Sequence, residues 1–206
     1  MPRKLAVYAS KARDYQRIVK ALKSVGMDFV ALDPSKPPPR EVSAVLTVKG
    51  DLGGLQGLSG VNVVEVEDCE NEAVLVARAA LALQGKNTFG ELAVGIDPGR
   101  SYGLAFVADS TLIGYGVYRE VEEVLKAAKK VVEAGISLRS VVRIGRGSPE
   151  HRDRVLTVVK EGLRGVKVEV VDEAEAPSLS LASLTEGLPR DVASAVDIAL
   201  RKGLEV

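Results

Sequence analysis

Residues 92–118 read LAVGIDPGRSYGLAFVADSTLIGYGVY, and this stretch decides the fold of the second half of the chain. Three apolar runs of strand length, Leu92 to Ile96, Tyr102 to Ala108 and Thr111 to Tyr118, are separated by Asp97-Pro98-Gly99-Arg100-Ser101 and by Asp109-Ser110. Proline and glycine punctuate the first break, and two residues suffice for a tight hairpin at the second, so the runs predict an antiparallel meander. Downstream, Val121, Val124, Leu125, Ala128 and Val132 recur at helical spacing before Gly135. A strand is predicted over Ser140 to Ile144. A helix follows with Pro149 in its first turn and Val155, Val158, Val159 and Leu163 on its buried face. Val166 to Val171 is the next strand, and Arg190 to Lys202 the last helix, stopped by Gly203. Three antiparallel strands followed by alternating helices and strands predict an α/β domain, a mixed sheet with flanking helices.

The preceding half has a different rhythm. Leu5 to Ala9, Phe29 to Leu32, Ala44 to Val48 and Val61 to Val66 are short apolar runs, and Tyr15, Ile18, Val19, Leu22 and Val25 mark a helix stopped by Gly26. A second helix is expected from about Glu70 to Leu83. Together these predict a small βαβ-type, Rossmann-like domain. Pro37, Pro38 and Pro39 make a stiff connection, and Gly50 to Gly57 reads as turns, because neither GxGxxG nor a Walker-type GxxxxGK occurs. Gln84 to Thr88 breaks the helical period, which sets the expected domains at residues 1–86 and 92–206.

Composition narrows the functions. In 206 residues, 46% are hydrophobic, enough for a substantial core, whereas aromatics are 4% and Trp is absent, which leaves few side chains for stacking on exposed bases. The 28 Lys and Arg balance the 28 Asp and Glu, so attraction to nucleic acid has to be local. The single Cys69 forms no internal disulfide and suits a reducing compartment. Met1-Pro2-Arg3-Lys4 passes directly into an apolar run without the pattern of a secretory leader. The stretch from Ala73 to Leu83 is too short to cross a bilayer. A cytoplasmic protein without membrane spans is expected.

Carboxylates fall at the ends of the predicted elements. Asp97 ends the first strand of the second domain, where it can serve either a turn or a ligand site. Asp172 and Glu173 end the strand Val166 to Val171; alternation sends them to opposite faces, so one at most joins Asp97. Asp191 starts the last helix, as a cap or as a ligand. Ser194, Ala195 and Ile198 share its side, whereas Asp197 points away and reads as solvated. Oxygen ligands from separate elements are what Mg²⁺ or Mn²⁺ requires, and in phosphodiester hydrolysis a metal pair about 4 Å apart activates the attacking water and stabilises the leaving oxygen. Arg100, Arg143, Arg146 and Arg152 are the residues read as facing substrate phosphates, although Glu150 and Asp153 dilute that basic segment, and lone His151 reads as a solvated helix residue.

Gly95-Ile96-Asp97-Pro98-Gly99 with Gly103 and Ala105, Val170-Val171-Asp172-Glu173, and Asp191 to Ala199 occur in an order that resembles the RNase H-like superfamily, in particular its YqgF branch, related to RuvC-type Holliday-junction resolvases. The resemblance spans most of the second half and implies a metal site of Asp97, Glu173 and Asp191, which would also be the catalytic residues. The intermediate strand carries Arg143, Gly145 and Arg146 where RuvC-type enzymes have an acid, so the YqgF pattern fits better; Ala174 stands where that pattern has arginine. The implied activity is a metal-dependent nuclease acting on structured or branched nucleic acid. The alternative is a noncatalytic RNase H-like binding or scaffold domain. The first domain is expected to recognise a partner or mediate assembly, homo-oligomerisation included.

Overall fold

The computed structural model describes residues 3–67, 71–172 and 184–206, and the chain divides into two compact units, residues 1–88 and 89–206. Cys69, Glu173 and Ala174 lie outside the described residues. No helix among those described is long and apolar enough to cross a membrane.

The first unit contains β1 (Lys4–Tyr8), α1 (Ala12–Ser24), β2 (Phe29–Ala31), β3 (Val42–Val48), β4 (Asn62–Val66) and α2 (Glu72–Gln84). Its four strands are all parallel, in the order β2-β1-β3-β4. Helix α1 buries Ile18, Ala21 and Leu22, and α2, apolar on most sides, is capped by Asn71 and ended by Gly85 at φ +67. Ala6, Leu32, Val42 and Val45 form a core cluster onto which Leu55, Leu58 and Val61 pack. The glycine-rich stretch after β3 therefore does more than turn: its leucines roof one face of the sheet.

The second unit contains β5 (Phe89–Asp97), β6 (Tyr102–Ala108), β7 (Thr111–Tyr118), α3 (Val121–Val132), β8 (Ser137–Gly145), α4 (Pro149–Gly162), β9 (Lys167–Val171), α5 (Arg190–Leu200) and β10 (Leu204–Glu205). The six strands run in the order β10-β9-β8-β5-β6-β7. β5, β8 and β9 are mutually parallel, and β6, β7 and β10 pair antiparallel with their neighbours. This is the mixed α/β sheet with flanking helices that the sequence predicts for an RNase H-like domain. The hairpin between β6 and β7 turns through Asp109 and Ser110 at φ 43° and 66°, two left-handed residues in succession, as a two-residue hairpin demands. The Asp109 carboxylate accepts the Gly90 and Glu91 amides of β5, which fixes the meander in register.

Helix α5 lies across β5, β6 and β8 on one face, while α3 and α4 pack together on the other. Two glycines admit α5: a Cβ at Gly95 would collide with the Ala195 carbonyl and with Ala199, and one at Gly103 with the Asp191 carbonyl. Backbone thus rests on backbone, a separation only glycine permits.

Candidate functional site

The carboxyl ends of β5, β8 and β9 and the start of β6 share one edge of the second sheet, where open sheets with parallel strands commonly hold ligands. Asp97 is the last residue of β5 and pairs in register with Gly103. Its parity along β5 is that of Gly95, so it belongs to the α5 face. Because Asp191 sits over Gly103, the two acids are brought to neighbouring positions by one close approach of helix and strand.

Asp191 is not the helix cap. Pro189 occupies that position without a side-chain bond, and Asp191 stands inside the first turn, where the helix dipole favours a carboxylate. Its Oδ2 accepts a 2.5 Å hydrogen bond from the Ser101 hydroxyl, which ties the helix to the turn after Asp97. Both acids are partly exposed. Asp172, whose position in sequence alternates from that of Glu169, is held by Arg146 at 2.5 Å, and Glu173 lies outside the described residues. Among those described, no group of three or more His, Cys, Asp or Glu is gathered as a metal site.

The loop after β8 is laid against the Asp97 turn. Gly147, at φ +38, approaches the Pro98 carbonyl so closely that a Cβ would collide with it. Ser148 then caps α4 and lies 2.6 Å from His151 Nδ1, while the His151 ring stands edge-on to Tyr102 with centroids 6.3 Å apart. His151 is therefore half-buried packing at the rim, rather than a solvated helix residue.

The four arginines read as phosphate ligands have separate fates. Arg143 is withdrawn: its side chain is 9% exposed, and it bridges Glu169 at 2.9 Å and Glu91 at 3.0 Å while donating to the Ala199 carbonyl. It sits on the face that α5 covers, so its charge is spent holding strands and helix together. Burial pushes the Glu169 carboxyl up, but hydrogen bonds from Lys167, Arg143 and the Gly203 amide outweigh it and leave its pKa below the ordinary value. Arg100 is exposed in the turn after Asp97. Arg146 and Arg152 lie at the surface near that edge, paired with Asp172 and Asp153. Asp197 is not solvated either; its side chain is 18% exposed and bonded by Arg201 at 2.8 Å.

Ser101 and the seating role of Gly95 and Gly103 escaped the sequence reading. Their signal is small residues on both partners, Gly95 and Gly103 on the strands and Ala195 and Ala199 on the helix.

No family model matches the chain, and no curated protein does. Among solved structures, Thermus thermophilus RuvC is similar at a TM-score of 0.39 and 19% identity, over 53% of this chain and 90% of that one. Marinitoga piezophila Argonaute in complex with 5′ OH guide RNA and target DNA is similar at a TM-score of 0.29 and 12% identity, over 82% of this chain and 38% of Argonaute. Its complex with guide RNA gives a TM-score of 0.28 and 13% identity, over 82% and 39%. This chain thus spans well under half of Argonaute, and likenesses this distant carry no weight for function; the residues have to carry it.

Proposed function

We propose that the second unit is a divalent-cation-dependent nuclease of the YqgF-like kind, acting on structured or branched nucleic acid, with Asp97, Asp191 and Glu173 as its catalytic carboxylates. The supporting observation is the seat at Gly103: a residue with no side chain lets the Asp191 turn settle beside the end of β5, where Asp97 stands. The donors are oxygen only and come from separate elements, a set that fits Mg²⁺ or Mn²⁺. Asp97, Asp191 and Glu173 would hold the ion, and when bound it would supply Lewis-acid stabilisation of charge on phosphate oxygens and activation of water. The chain's own residues do the rest: Ser101 holds the Asp191 carboxylate in one orientation, and exposed Arg100, in the turn next to Asp97, receives a substrate phosphate. The first unit is proposed as the module for partner recognition or self-assembly, and the single Cys69 suits work in the cytoplasm.

The test is calorimetric titration of Mn²⁺ or Mg²⁺ into wild type, Asp97→Asn, Glu173→Gln and Asp191→Asn, followed by cleavage assays on branched and linear substrates. Binding that falls in all three variants, with cleavage lost in Asp97→Asn, is expected. Nucleic-acid binding without cleavage by wild type would turn the assignment to a noncatalytic RNase H-like scaffold, the reading that Ala174 after Asp172-Glu173 favours.

A further inference from the structure

On the face opposite α5, helix α4 does not cover the sheet to its edge. Val170 of β9 and Leu204 of β10 are register partners, and with Leu156 and Val206 they floor a cleft of about 850 Å³. Leu204 is 79% exposed and Val206 50%, so this apolar strip faces water. Around it stand Arg146, Arg152 and Lys202, with Arg201 held by Asp197, against two lining carboxylates, Asp153 and Asp172.

Those carboxylates are replaceable partners. Asp172 and Asp153 are 55% and 63% exposed, and ion pairs this open to solvent are weak and screened by salt. A phosphate can take over Arg146 and Arg152 while the acids turn to water. An apolar floor under a basic rim matches a ligand in which flat, weakly polar rings alternate with anions, and arginine guanidinium groups both pair with phosphates and stack on rings. The volume lies in the range of roughly 300–1,000 Å³ that holds one bound organic group. Arg146 and Asp172 also follow the ends of β8 and β9, so one end of the cleft lies at the carboxyl edge of the sheet, on the face opposite Asp97 and Asp191. Cations contributed by three separate elements, Arg146 after β8, Arg152 on α4 and Lys202 before β10, favour a polymer over a free nucleotide.

We infer that the cleft between α4 and β10 binds a single-stranded segment of nucleic acid, phosphates on Arg146, Arg152 and Lys202 and a base on Leu204 and Val170. This binding does not need a cation at Asp97. It is therefore measured in EDTA, so that failure of the cleft and failure of the nuclease reading are separate results.

The experiment is fluorescence anisotropy of the full chain with a labelled oligothymidylate of about a dozen nucleotides, at two salt concentrations, each variant being checked by circular dichroism. Arg152→Glu with Lys202→Glu is expected to weaken binding about tenfold or more and to flatten the salt dependence. Leu204→Asn is expected to weaken it about threefold. Lys129→Glu with Lys130→Glu, the same charge change on exposed positions of α3, is expected to leave it within about twofold. Should the double cleft variant lose its fold, Lys202→Glu alone, at an exposed position, makes the same test. Absence of binding by wild type, equal weakening in the α3 control, or thymidine monophosphate competing as well as the oligonucleotide would each overturn the inference.

Discussion

Two clusters of charge belong to the α5 face of the second sheet, and they are built to opposite ends. Around Arg143 the charges cancel inside the molecule: Glu91 and Glu169 flank the guanidinium, Lys167 adds a further ion pair to Glu169, and the Ala199 carbonyl takes a remaining donor. At Asp97 and Asp191 two acids are brought near each other, and the partner given to Asp191 is a hydroxyl rather than a cation. A charge whose partners come from the fold is a fastener; acids gathered at the carboxyl edge of a sheet stand where a ligand can reach them. The same helix serves both clusters, and only position along it separates them.

Breaking the fastener has the largest expected effect. Arg143→Ala takes from buried Glu169 one of its two cations and removes the guanidinium donor to the Ala199 carbonyl, and the second unit is expected to lose about 3–5 kcal/mol of stability in urea denaturation. Cation binding per folded molecule should hardly change; a variant of unchanged stability would show that the two clusters do not differ as described. Next is the seat. Gly103→Ala pushes the Asp191 turn away from β6, with an expected cost of about 1–3 kcal/mol and a loss of cation affinity. Gly95→Ala meets the same helix farther from the acids and should cost similar stability while sparing affinity.

Acid separates the clusters further. The Glu169 carboxyl has a folded pKa below its ordinary 4.5, so the stability it lends is present above that value and lost as pH falls through the folded one. Between those limits, Glu169→Gln is expected to show a shallower decline of the urea midpoint with pH than wild type; parallel curves would contradict the assignment. The smallest effect belongs to Ser101→Ala, about 1 kcal/mol for one partly buried hydrogen bond, read in the same denaturation series.

The legible parts of the sequence were those where a period and its punctuation agree. Strands β6 and β7 begin and end where the apolar runs do, because Asp-Pro-Gly and Asp109-Ser110 bound them. β10 left no trace: two exposed residues after Gly203 have no period, and only pairing with β9 makes them a strand. Arg143 was misread for a physical reason. Between Val142 and Ile144 it takes the parity of a solvent face, and its partners Glu91 and Glu169 come from other strands, 52 and 26 residues away. Asp97 and Asp191 could be chosen because strand ends and helix starts are visible in sequence, whereas Gly95 and Gly103 read only as positions inside predicted strands, because what they seat is a helix roughly 90 residues farther along the chain.

The seat at Gly103 also sets a schedule. One acid comes from the first strand of the unit and the other from its last helix, so a ribosome releases Asp97 long before anything exists to meet it. Until α5 has emerged and settled onto its two glycines there is no pair, only a lone carboxylate at the end of a strand. A chain interrupted just upstream of Arg190 has every strand from β5 to β9 in its sequence, yet it lacks Asp191 and with it the pair.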